Sequence, residues 1–179
     1  MKNTELTTAF LNTKYTILSD DVFKEKVILK IDETADFNST LPHLEEWTFI
    51  TAWNPLPDIL SNELNRKRNT VLLADIDKNG YKTHLGIGTS EDGKWFEDSF
   101  FVENISKEKA LFYAQKFGQV AFVHGKKKFM GTTFCDTAED QNFIISTQVR
   151  FAVFISKDNL PFHPSESVEL ETEHYLIKT

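Results

Sequence analysis

The stretch FITAWNPLP, residues 49–57, restricts the fold more than any other part of the chain. It is a short apolar run with apolar side chains on both faces: Phe49 and Trp53 on one, Ile50 and Ala52 on the other. A half-exposed strand alternates apolar with polar, so this pattern predicts a central strand covered on both sides. Asn54-Pro55 ends it. Pro55 has no N–H for a sheet ladder, and it biases the residue before it away from helix. Any fold for this chain therefore needs a sheet with packed material above and below.

The flanking patterns supply that material. Ser61 is a helix N-cap, Leu64, Val71, Leu72 and Ile76 lie at helical spacing, and Asn79-Gly80 is the stop. Residues 81–88 read as a strand with Tyr81, Thr83, Leu85 and Ile87 on one face. TSEDGK is a hairpin signal, with Asp92-Gly93 between two strand-like runs, and residues 95–102 form the returning strand. Ser106 starts a second helix, with Ala110, Tyr113, Ala114 and Phe117 on one face and Gly118 as the stop. Residues 119–124 are another strand. From 47 to 124 the order is strand, helix, strand, strand, helix, strand. That is the split βαβ pattern of a ferredoxin-like core, with an antiparallel sheet and its first and third strands adjacent.

The ends add more structure. A helix is expected at residues 6–11 with Thr4 as cap, and strands at 14–18 and 27–31. After the core, GKKKF reads as a turn, followed by a strand at 129–135, a strand or bent pair at 143–155, and an edge strand within 167–178. The fold class expected is α+β in one domain, residues 1–179. Its core is 47–124, with an N-terminal helix and strands at 4–46 and a C-terminal β extension at 125–179. The terminal strands are expected to extend the sheet edge or cover its second face.

Composition excludes several function classes. The chain has 179 residues, 40% of them hydrophobic and 16 of them Phe, which requires a real interior. A net charge of −7 disfavours nucleic-acid and anionic-membrane partners. No apolar run approaches the ~20 residues of a membrane span, and MKNTELTTAF has no signal-peptide core. The single cysteine, Cys135, cannot pair within the chain, which fits a cytoplasmic location. His43, His84, His124, His163 and His174 show no metal-ligand spacing, so no metal and no cofactor is implied.

FITAWNP, a helix carrying Asn65 and Asn69, Gly86 to Gly88, DGKWFEDSFFV, and AxxxAxxFGQxAF across residues 110–122 together resemble one family. It is the bacterial family known as domain of unknown function 3293, and the resemblance spans roughly residues 9–124. It implies a small cytoplasmic bacterial domain and brings no activity, substrate or catalytic residues.

Strand parity in the split βαβ arrangement gives a candidate site. Ile50, Ala52, Phe96, Phe100, Val102, Val120 and Phe122 are expected to face the helices. Thr51, Glu97, Ser99 and Gln119 then fall together on the opposite face, framed by Trp53 and Trp95. A carboxylate among aromatics has a raised pKa and serves as an acid or base, and the indoles offer stacking surfaces. The structural alternative is a satisfied polar network beneath the terminal strands. Asn54, Asn65 and Asn69 form a second cluster. Beside Arg66, Lys67 and Arg68 it reads either as an anion site at a helix N-terminus or as loop-pinning amides. Gly86 and Gly88 lead into a hairpin, so close approach of a neighbour explains them better than a nucleotide loop. Lys126, Lys127 and Lys128 are expected to be a solvated basic turn.

Three functions follow. The first is a binding or regulatory module for a small molecule or peptide. The second is a small hydrolase or transferase, with Glu97 as general acid/base and Ser99, Thr51 and Gln119 positioning substrate. The third is an interaction protein that forms a homodimer through its sheet.

Overall fold

Strand β4 (Glu46–Ile50) lies inside an antiparallel sheet, hydrogen-bonded to a neighbour on each side and buried along most of its length. The computed structural model describes residues 3–31, 34–35, 37–55, 58–129 and 144–150, with side chains for 8–31, 35, 37–55 and 58–126. Before β4 come α1 (Asn3–Asn12), β1 (Lys14–Ile17), β2 (Val27–Leu29) and β3 (Thr34–Ala35). After it come α2 (Asn62–Lys78), β5 (Thr83–Thr89), β6 (Phe96–Glu103), α3 (Lys107–Lys116), β7 (Val123–Phe129) and β8 (Ile144–Arg150). The class is α+β. The strand order is β2-β1-β5-β6-β4-β7-β8-β3, every pairing antiparallel. The N-terminal strands β1 and β2 extend one edge beside β5, and β8 and β3 extend the other beside β7.

The helices begin and end where their caps dictate. Ser61 accepts from the Leu64 N–H and Ser106 from the Lys109 N–H. Gly80 (φ 79°) and Gly118 (φ 65°) take the left-handed conformation that terminates each helix. Both helices pack on one sheet face, where Val71, Leu72, Ile76, Ala110, Tyr113 and Phe117 meet Ile50, Phe100, Val102 and Phe122. The other face of the same strands carries Trp47, Phe49, Phe101 and Val123. It is covered by Phe23, Phe37, Leu41 and Leu44 from the segment before β4. The two-sided burial expected for the central strand is therefore present.

Glycine admits the aromatics of that second face. A Cβ at Gly86 would lie 2.5 Å from the Phe49 ring, and one at Gly125 would overlap the Trp47 indole. On β5 the buried positions are His84, Gly86 and Gly88, while Leu85 on the opposite face is 60% exposed.

Several boundaries differ from the pattern-based reading. The central strand ends at Ile50, not Trp53. The Thr51 hydroxyl donates to the Asp98 carbonyl (2.7 Å) and accepts from the Trp53 N–H (3.0 Å), which turns the chain out of the ladder. Asn54 then adopts φ 42°. The strand expected from residue 119 begins at Val123, because the Gln119 N–H is held by the Ala114 carbonyl at the end of α3. Val120 accordingly leaves the helix-facing layer and packs with Ala121 and Phe10. Phe96 is exposed rather than core. GKKKF is not a turn but the body of β7, paired to β4 on one side and β8 on the other. Thr4 lies within α1 rather than capping it. Cys135, His163, His174 and the expected strand within 167–178 lie outside the described residues. No helix among the described residues is long and apolar enough to cross a membrane.

Candidate functional site

The turn that follows β4 is built by asparagine amides. The Asn69 Oδ1 accepts from the Ala52 N–H (2.8 Å) while its Nδ2 donates to the Asp98 carbonyl (2.8 Å). The Asn65 Oδ1 accepts from the Asn54 N–H (2.8 Å), and its Nδ2 donates to Asn54 Oδ1 (2.8 Å). Asn54 Oδ1 also accepts from the Leu60 N–H (3.0 Å). Residues 51–54 cannot use the sheet ladder, so side chains of α2 satisfy their backbone. Arg68, between these asparagines on α2, is buried as well. Its Nε donates to the Ala52 carbonyl (2.8 Å) and a terminal nitrogen to the Phe117 carbonyl (2.6 Å), joining the turn to the end of α3. Burial lowers the Arg68 pKa to about 10, with Asp58 acting in the opposite sense. Asn65, Asn69 and Arg68 therefore hold the backbone. Arg66 is exposed and Lys67 pairs with Glu63 (2.9 Å), so the expected anion cluster is dispersed.

Beside this turn opens a cavity of about 810 Å³. The end of α1 contributes Ala9 and Phe10, and Thr13 follows just after it. The loop before α2 contributes Asn54, Asp58 and Ile59. The β5–β6 hairpin supplies Glu91, Asp92, Trp95 and Glu97, and the segment after α3 supplies Gln119 and Val120. A smaller space of about 40 Å³, bordered by Thr51, Ser99, Tyr15, Trp95, Glu97 and Gln119 among others, lies against the sheet. Thr51, Glu97, Ser99 and Gln119 are thus gathered at one place. Trp95 borders both spaces. Trp53 borders neither: it is buried, and its carbonyl accepts from Gln119 Nε2 (2.8 Å).

Residues 50–122 match the family model described as Protein of unknown function (DUF3293). The chain resembles that family. The match is narrower than the span 9–124 read from the motifs, leaving α1 and the first three strands outside it. No curated protein and no solved structure matches the chain. The DUF3293-like segment carries the cavity floor (Asn54, Glu97, Gln119), the Trp95 wall, and Thr51 and Ser99 of the smaller space. The α1 wall comes from outside it.

Glu97 is the chemically distinctive group. Burial pushes its carboxyl up to about 8, opposed by a hydrogen bond from the Asn54 side chain. Since Asn54 Oδ1 is occupied by Leu60 and Asn65, the amide NH₂ is what Asn54 offers to Glu97. The Ser99 hydroxyl donates to the Glu97 carbonyl (3.2 Å), and the Thr51 hydroxyl is bonded to the Asp98 carbonyl. Neither is poised as a nucleophile beside a base.

Sequence reasoning missed Phe10, Thr13, Asp58, Ile59 and Val120. The first two reach the site by packing of α1 on Val120 and Ala121, a contact no local pattern encodes. Ile59 is 88% exposed, a feature that only the fold reveals.

A separate polar cluster lies at the other end of β5. His84 is buried, with Nδ1 2.5 Å from Asp20 and Nε2 2.6 Å from Glu103, and Phe23 is edge-on to its ring. Burial acts to raise the Asp20 pKa. The hydrogen bonds from His84 and from the Phe23 and Val22 N–H groups outweigh it and hold the carboxyl below its ordinary value. This cluster fastens the β1–β2 loop, which carries Phe23, over the second sheet face.

Proposed function

We propose that this protein is a binding or regulatory module that takes a small molecule into the cavity above Glu97. One observation carries the reading: a cavity of about 810 Å³ joins apolar walls to a floor of Glu97, Asn54 and Gln119. Pockets for small ligands are of that size, with few polar groups placed among apolar ones. The amides that hold residues 51–54 support a pre-formed floor, which lowers the ordering cost of binding. The strand order β5-β6-β4-β7, with α2 and α3 on one face, supports a ferredoxin-like split βαβ core as the scaffold. The single cysteine, which cannot pair within the chain, favours a cytoplasmic setting.

A second reading is a small enzyme with Glu97 as general acid. A carboxyl at about 8 remains protonated at neutral pH and is matched to proton donation there.

Native mass spectrometry of the freshly purified full chain tests the binding reading. A co-purifying species of small-molecule mass is expected, released on denaturation and missing from Val120→Trp, which fills the cavity. An adduct-free spectrum for the wild type, or an adduct that Val120→Trp retains, would sink it.

A further inference from the structure

The cavity is one-sided in charge. Its described lining includes four carboxylic acids, Asp58, Glu91, Asp92 and Glu97, and among the described residues no Lys, Arg or His lines it. The nearby cations are engaged at the margins. Lys94 pairs with Asp92 at the hairpin tip (3.2 Å), and Arg68, buried and interacting with Asp58, donates to the Ala52 and Phe117 carbonyls and does not line the cavity. The other titratable neighbour of Glu97 is Tyr15 on β1, whose phenol is raised by burial and by Glu97 itself. A phosphate or carboxylate ligand would meet like charge with no compensating donor of positive charge.

The floor is acceptor-rich and directional. Glu97 receives one amide hydrogen bond from Asn54, and no positive side chain acts on it among the described residues. A carboxylate with two oxygens and one neighbouring donor is suited to a planar fork of N–H groups. Phe10 and Trp95 line the cavity from different elements, and aromatic rings are suited to a flat, delocalised cation.

We infer that the cavity binds an organic cation of the amidinium or guanidinium class, with its N–H fork on Glu97 and its apolar body against Phe10 and Trp95. This rests on the cavity being a small-molecule site and goes further by assigning the ligand's charge and head group. Such a ligand supplies the positive charge that buried Glu97 lacks, so binding converts the neutral acid to carboxylate. The proton leaves to solvent, and the carboxylate and the cation remain as a pair.

Titration calorimetry on the full chain with benzamidine tests this, with neutral benzamide and anionic benzoate as isosteric controls. At pH 7, in phosphate and Tris buffers of different ionisation enthalpy, benzamidine should bind with release of roughly one proton. Its affinity should rise roughly tenfold from pH 6 to pH 7 and level off above pH 8. Benzamide and benzoate should bind at least tenfold more weakly, and Glu97→Gln should abolish the proton release. Trp95→Ala should weaken benzamidine without changing the number of protons released, which keeps the test open should Glu97→Gln fail to fold. Benzamidine binding without proton release, or no benzamidine binding at all, overturns the inference. So does benzoate or benzamide binding as tightly as benzamidine. In the last case the cavity still holds a small molecule, so the binding reading survives while the cation assignment fails.

Discussion

Asn69 ties together two backbone groups and one hydroxyl around the turn after β4. It takes the Ala52 N–H, gives to the Asp98 carbonyl and approaches the Thr51 hydroxyl (3.3 Å). A buried donor or acceptor left without a partner costs about 1–3 kcal/mol. Asn69→Ala is therefore expected to lower stability by about 1–3 kcal/mol in urea unfolding, since the Ala52 N–H loses its partner while the Asp98 carbonyl keeps the Thr51 hydroxyl. A loss under about 0.5 kcal/mol would mean that water replaces the amide. Gly86 makes the converse case. An added methyl would meet the buried Phe49 ring at 2.5 Å and the Thr16 carbonyl at 3.0 Å. Neither can retreat easily, so Gly86→Ala should cost about 1–3 kcal/mol by overpacking. The equivalent change at Gly88, where the nearest atom is 3.8 Å away, should cost much less. Comparing the two variants by thermal unfolding isolates the aromatic contact from the general effect of replacing a strand glycine.

The β5–β6 hairpin places Trp95 and Glu97 at the cavity, and its turn is set by local chemistry. The Ser90 N–H donates to the Trp95 carbonyl, the Gly93 N–H to the Ser90 carbonyl, and Gly93 has φ 70°. A Cβ there finds open space but a disfavoured backbone. Gly93→Ala should thus destabilise by about 1 kcal/mol, the cost of a left-handed non-glycine residue. It should also weaken ligand binding in the calorimetric assay, because the turn positions two lining side chains. Unchanged affinity would show that β5 and β6 hold Glu97 without help from the turn. This hairpin was legible from Asp92-Gly93 alone, as were both helix caps, because each depends on interactions within a few residues. The end of β4 was not legible. FITAW reads as one strand, yet Thr51 bonds across to β6 and Asn69 reaches in from α2, so partners distant in sequence decide where the ladder stops. The role of Arg68, expected as part of a basic cluster beside an anion site, was not legible either, because its two carbonyl partners come from segments that meet only in the folded chain.

Two buried groups oppose each other in the pH dependence of the folded chain. The Glu97 pKa is raised from 4.5 to about 8, so the native state binds the proton more tightly than the unfolded chain does. Stability from this group is complete below pH 4.5 and is lost as pH rises toward 8. His124 behaves in the reverse sense. Burial lowers it from 6.5 to about 4, assisted by Lys107 and Lys126 against Glu108, so its contribution is present above 6.5 and lost toward 4. Between pH 6.5 and 8 the Glu97 effect stands alone. The melting temperature should fall across that interval in the wild type and stay flatter in Glu97→Gln, at about 2–4 °C for each kcal/mol. A wild-type curve that is flat from pH 6.5 to 8 would show that Glu97 ionises as an ordinary solvated carboxyl.

Local patterns in this chain settle an α+β class, the helix ends, the hairpin, and a central strand buried on both faces. Each follows from side-chain periodicity or from a capping or turn residue acting over one turn of backbone. Parity along β6 puts Glu97 and Ser99 on one face, but Thr51 and Gln119 reach the same space from outside the strands, from the turn after β4 and the segment after α3. Folding decides the rest. The α1 wall of the cavity, the engagement of Arg68 and the asparagines with backbone, and the exclusion of Trp53 from the lining all arise between segments far apart in sequence. A cavity and the desolvation of the acid at its floor are properties of how surfaces meet, and no single segment carries them.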